Sequence, residues 1–210
     1  MFSNILLTIA APLTVLTQTA YAAPQAPMDG YGVIDIHWDL PLDPNNPTGE
    51  TVPVTGTIQE AIAKMEAEHS GWNVSFTRGM SPPPAHPAAA SLYQLPKPES
   101  YNCFGRWKPC GWADVYWGYT YLRRLPAEPR PRNGPGPGNC GRVSCSWNAA
   151  IWWCNDNSED YTTTWGAIAD GAEWLAAQGH CCDDSRPSWR VAGQGFYPGN
   201  WNVIVNADTC

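Results

Sequence analysis

The first 102 residues contain no cysteine, and all eight cysteines of this 210-residue chain lie from Cys103 onward. Basic side chains are scarce in the same half: residues 23–100 hold three Lys or Arg against nine Asp or Glu. The whole chain carries a net charge of −7 and no Lys/Arg-rich run. That excludes an electrostatic nucleic-acid surface and argues against adhesion to anionic lipid. No stretch beyond residue 22 approaches the roughly 20 apolar residues that a membrane helix needs, so no integral membrane segment is expected. Catalytic signatures are missing as well. There is no G-x-S-x-G elbow, no H-E-x-x-H and no phosphate loop. Gly193-Gln194-Gly195 lacks the third glycine of a dinucleotide site and reads as a place where a strand packs closely. Neither a cofactor nor a metal is implied.

The chain opens with an apolar run over residues 5–16, followed by Ala20-Tyr21-Ala22. The run is too short to cross a bilayer, and the small-x-small triplet suits a signal peptidase. Residues 1–22 therefore read as a signal peptide, although only the α-amino group supplies positive charge before the run. A secreted, extracellular protein follows, expected as a monomer. In that setting an even number of cysteines implies disulfides: Cys103, Cys110, Cys140, Cys145, Cys154, Cys181, Cys182 and Cys210. Eight cysteines allow 105 pairings, and the adjacent Cys181 and Cys182 are each expected to bond elsewhere. Asn73-Val74-Ser75 is an N-glycosylation acceptor, whereas Asn46 is excluded by Pro47.

Composition divides the mature chain into an acidic, cysteine-free segment (23–77), a Pro-rich linker (78–100) and a cysteine-rich domain (101–210). The domain carries ten of the twelve tryptophans. In the first segment, residues 32–42 alternate Ile34, Ile36, Trp38 and Leu40 with Asp35, His37 and Asp39, a half-buried strand. Thr57 and Glu60 form a capping box ahead of a stripe of Ile58, Ala61, Ile62 and Met65. WNVSF, 72–76, reads as a short strand. In the domain, Val115, Gly118, Tyr119 and Leu122 recur at helical spacing. RVSCS and NAAIWWC read as strands around a Trp147-Asn148 turn. A second helix spans 165–178 with Gly179 at its end, and strands over 189–197 and 201–210 flank a Pro-Gly-Asn turn. The expected fold is α+β: a disulfide-rich two-layer sandwich, an antiparallel sheet with two helices on one face, plus an N-terminal Pro-rich extension. In CSWNAAIWWCND, 145–156, Ile151 and Trp153 then face the helices and Trp152 the other side.

The strings GPGPGNCGRVSCSWNAAIWWCNDN, IADGAEWL and VAGQGFYPGNWNVIVNADTC resemble small secreted cysteine-rich proteins of filamentous fungi, several of them candidate effectors. The order of 168–178, Cys181, 191–195 and 203–210 is more distantly similar to killer-toxin-like α+β sandwich proteins. The chain departs from the toxins in its long cysteine-free N-terminal part and its Cys181-Cys182 pair. The first resemblance implies a secreted, non-catalytic protein that binds a host or competitor molecule. The second implies an inhibitor of target cells.

Candidate chemistry is sparse. Asp35, His37 and Asp39 share one strand face about 7 Å apart and suit acid–base or metal work, but read as a solvated strand face. Asp156, Ser158 and Asp160 begin a calcium-loop pattern that Tyr161 and Ala167 interrupt. The tryptophans hold the most binding potential, because indoles stack on sugars and fill protein pockets. Trp107, Trp112, Trp117, Trp189 and Trp201 fall outside the helix stripes and are the candidates for an aromatic binding face, with a host protein or a cell-wall polysaccharide as partner. A cell-wall carbohydrate-binding protein is thus a third reading of function.

Overall fold

In a computed structural model of the chain, residues 24–88, 95–184 and 188–210 are described. The predicted signal peptide and part of the predicted linker lie outside them. The alternating stretch keeps its periodicity, with Ile36, Trp38 and Leu40 buried and Asp35, His37 and Asp39 exposed. It does not run as one strand. β1 (Gly32–Ile34) and β2 (His37–Pro41) belong to different sheets, and β2 pairs antiparallel with β3 (Thr51–Thr55). α1 (Ile58–Glu68) starts from the complete capping box. Thr57 Oγ1 accepts the Glu60 N–H at 3.3 Å, and Glu60 Oε2 accepts the Thr57 N–H at 2.7 Å. Residues 72–76, expected as a strand, form the short helix α2 (Trp72–Phe76). The Glu66 carboxylate accepts the N–H groups of Gly71 and Asn73 at 2.9 and 2.7 Å, which satisfies donors a first helical turn leaves open. These backbone bonds also lower the Glu66 pKa.

Beyond the Pro-rich segment the order is β4 (Ser100–Cys103), β5 (Cys110–Gly111), α3 (Trp112–Arg123), β6 (Arg132–Asn133), β7 (Asn139–Ser146), β8 (Ala149–Asn155), β9 (Tyr161–Thr162), α4 (Trp165–Ala176), β10 (Cys182–Asp184), β11 (Trp189–Val191), β12 (Gly193–Tyr197) and β13 (Trp201–Ala207). The main sheet runs β1-β7-β8-β13-β12-β4. It is mixed rather than antiparallel, because β1 lies parallel to β7. The strand expected over 189–197 breaks at Ala192, whose two sides join different sheets.

Residues alternate across β8 as the sequence implies. Ile151 and Trp153 enter the larger core with Val203 and Val205, against α3 and α4. α1 joins that face too: Gln59 Nε2 donates to Ser144 Oγ at 2.8 Å, and Gln59 Oε1 accepts the Cys145 N–H at 2.9 Å. Trp38 of β2 stacks on Trp165 of α4, ring centroids 4.2 Å apart. The acidic segment and the cysteine-rich region therefore build one core. The opposite face is covered rather than bare. Trp152, Ile204 and the Cys140–Cys154 pair pack there against Trp107, Phe104, Met28, Tyr31 and Val33.

Among the described residues three disulfides form: Cys103–Cys181, Cys140–Cys154 and Cys145–Cys210. Cys110 and Cys182, expected in disulfides, remain buried thiols. The register explains this. Val191 of β11 pairs with Cys182 on one side and Cys110 on the other, so the two cysteines stand two strand spacings apart, roughly 9–10 Å, beyond disulfide reach.

Candidate functional site

Of the five tryptophan candidates, the fold brings Trp112 and Trp189 together, although Trp112 is only 5% exposed, on the buried stripe of α3, and Trp189 is half-buried. Trp112 opens α3 directly after β5, and Trp189 opens β11, which pairs with β5. They border two contiguous hollows of about 830 and 720 Å³, which share Trp112, Ala113, Ser188 and Trp189 and form one open groove. The first hollow is walled on its far side by Pro83, Pro84 and Ala85. The second runs to Lys108, Asp114, Arg190 and Asp208, and to Trp147 and Asn148 at the tip of the β7–β8 hairpin.

Trp147 is the residue the sequence reading missed. It is 83% exposed, the most exposed large hydrophobic side chain described. Trp147 and Asn148 have φ of +50° and +60°, the left-handed pair of a two-residue hairpin turn. Asn tolerates that conformation; a bulky aromatic residue rarely adopts it. A Trp predicted at a turn that wants Asn and Gly was the signal available in the sequence. The turn is braced from beneath. Cys145, two residues before Trp147, is bonded to Cys210. The Asp208 N–H donates to the Asn148 carbonyl at 3.3 Å, and the Ala207 N–H to the Lys108 carbonyl at 2.8 Å. Arg142 Nη1 donates to Asp208 Oδ2 at 3.0 Å and to the Thr209 carbonyl at 2.8 Å.

The groove carries both signs of charge. Burial raises the Asp114 pKa, partly offset by the Arg190 guanidinium, and Arg190 also donates to the Pro109 carbonyl. The remaining tryptophans have structural places. Trp107 is buried on the far face of the sheet, and its Nε1 donates to the Pro27 carbonyl at 2.9 Å. Trp201 is buried beside Tyr197, centroids 4.7 Å apart, with Nε1 donating to Pro198 at 3.1 Å across the turn. Trp117 is half-buried on α3 against Tyr116 and Tyr121 and borders neither hollow.

The carboxylates and histidine of residues 35–39 point to solvent. Among the described residues no group of three or more His, Cys, Asp or Glu is placed to hold a metal ion. Asp156 of the calcium-loop pattern accepts hydrogen bonds from Tyr31 Oη at 2.7 Å and Asn202 Nδ2 at 2.8 Å, closing a polar turn. Asn73 is exposed on α2. Among the described residues no helix is long and apolar enough to cross a membrane. No protein-family model, curated protein or solved structure matches the chain.

Proposed function

We propose that the protein is a secreted, non-catalytic binding protein of effector type, and that it grips a host or competitor molecule through the groove of Trp112, Trp147 and Trp189. The observation that carries this reading is the Trp147 indole, 83% exposed at a positive φ. Exposing the ring forgoes burial worth roughly 2–3 kcal/mol, and the left-handed backbone costs about 1 kcal/mol more. A rigid, solvent-facing aromatic anchor beside a groove is how a binding hot spot looks before its partner arrives. The hydroxyl-binding groups around the indoles, Asp114, Asp208 and Asn148, suit a second reading, a cell-wall polysaccharide whose sugar rings stack on the tryptophans.

The test uses fluorescently labelled mature protein applied to leaf tissue and to competitor hyphae. Retention on one of these surfaces is expected for the oxidised protein, and loss of retention for a reduced, alkylated sample and for Trp147→Ala. Protease treatment of the surface beforehand separates a protein target from a polysaccharide. Retention of Trp147→Ala equal to wild type would sink the assignment of the site.

A further inference from the structure

The chain carries a proline-rich segment of its own, and the end of that segment, Pro87 and Ala88, lies beside the aromatic face of α3. Residues 81–84 read Ser-Pro-Pro-Pro. Each proline fixes its own φ near −65° and pushes the residue before it into extended conformation, which together make a polyproline helix. Such a helix forms no internal hydrogen bonds and leaves its carbonyls for others. Here Tyr116 Oη donates to the Ser81 carbonyl at 3.4 Å, and the Gln178 N–H donates to the Ala88 carbonyl at 3.1 Å. Pro84, Pro87 and Ala88 line a small hollow together with Trp112, Tyr116 and Tyr119; Pro87 is buried and Pro84 exposed. These three aromatic residues recur at spacings of four and three and so share a helix face. Their successive ring centroids are 5.7 and 5.3 Å apart. A row of aromatic rings with a hydroxyl donor among them is the surface that proline-rich peptides dock on.

The segment covers only the inner part of that row. Outward from Tyr116, Trp112, only 5% exposed, borders the groove, with Pro83 and Pro84 as one wall and Trp189 as the other, and Trp147 beyond. The charges in the groove are mixed, Asp114, Asp184 and Asp208 against Lys108 and Arg190, which disfavours a polyanion and gives no strong field for a polycation. Recognition then falls to the indoles.

We propose that the open part of the groove binds an extended proline-rich segment of a partner protein, in the manner that the chain's own Pro87 and Ala88 lie beside the aromatic face of α3. This rests on the groove being the target-binding face. The test is titration of the intact, disulfide-bonded mature protein with synthetic decaproline, read by NMR of the indole N–H signals and by calorimetry. An N-acetylglucosamine hexamer serves as the comparison ligand. Saturable decaproline binding that shifts the Trp147 and Trp189 indoles is expected. The affinity should fall about tenfold or more in Trp189→Ala and in Trp147→Ala, with Trp147→Ala, whose ring is 83% exposed, melting like wild type. No saturable decaproline binding overturns the proposal. If the hexamer binds instead and Trp147→Ala abolishes it, the groove stands and its ligand is a glycan. If decaproline binds wild type and both variants alike, it binds elsewhere and the proposal is overturned, while retention of Trp147→Ala on leaf tissue or hyphae still decides the functional reading.

Discussion

Trp147 holds its place at the expense of the hairpin it tips. Its φ of +50° is one that Asn adopts with little penalty. Trp147→Asn should therefore raise stability by about 1 kcal/mol, read as a higher urea midpoint at unchanged slope, while target retention is lost. A drop in stability would mean that the indole packs in the free protein. The two thiols make the opposite kind of residue. Burial pushes Cys110 up to about 12, and burial followed by the Asp183 charge pushes Cys182 up to about 12. A pKa raised on folding stabilises the fold fully below the unfolded value of 9.0, and that contribution is lost as pH rises from there towards 12. At neutral pH, iodoacetamide should label neither cysteine in the native protein and both on unfolding, counted by intact mass. Rapid native labelling would contradict the burial. At this scale the sequence was partly readable. Trp189 stands outside the helix stripes and borders the groove half-buried, whereas Trp112, expected outside them, belongs to the buried stripe of α3 with Val115, Tyr119 and Leu122 and is only 5% exposed. Trp107 and Trp201 stand outside them too, but a single sequence does not reveal that the sheet's second face is covered, and that is where Trp107 is consumed. The Cys110 and Cys182 thiols were hidden for a related reason, since pairing depends on strand register rather than on cysteine number.

The helices show why some elements are readable and others are not. α1 and α4 carry their start signals locally, in Thr57 with Glu60 and in Thr164, and the stripes read for α1 and α3 match residues found buried. Strands carry less information of their own. β2 and β11 each look continuous with the neighbouring strand, and only their partners decide where they break. WNVSF became a helix because of Glu66, six residues before its start. The packing of α4 on the sheet yields a direct test. Trp153 and Trp165 are both buried between helices and strands, so Trp153→Ala and Trp165→Ala should each cost roughly 3–5 kcal/mol. Gly171 is closer still: a Cβ there would lie 2.8 Å from Val203 Cγ2. Gly171→Ala should destabilise by roughly 1–3 kcal/mol through crowding, although Ala is the better helix former by about 1 kcal/mol. Chemical denaturation of the three variants checks all of this: wild-type stability in Trp153→Ala or Trp165→Ala would mean that the ring is not packed between sheet and helices, and a stabilised Gly171→Ala would mean that α4 does not rest closely on β13.

Over the whole molecule the disulfides differ in reach. Cys140–Cys154 closes a hairpin with a sequence separation of 14, while Cys103–Cys181 and Cys145–Cys210 span 78 and 65. Chain entropy gives about 3 kcal/mol for the short loop and about 4.5 kcal/mol for the long ones. Replacing the Cys140–Cys154 pair by alanines should lower the melting temperature least of the three, and an equal or larger loss there would show that its packing against Trp152 outweighs chain entropy. The order of synthesis adds something else. Ribosomes make β1 and α1 first, yet residue 32 finds its strand partner at residue 139, and Ile36, Trp38 and Met65 have no finished core until the later strands exist. Contacts so distant along the chain fold slowly, and nascent segments that wait are exposed to misassembly. The brace under Trp147 is made later still, when Cys210 reaches Cys145. A chain interrupted shortly before Cys210 would keep nearly every buried residue but lose the disulfide beneath Trp147, so the last strand can be in place while the exposed indole still lacks its anchor.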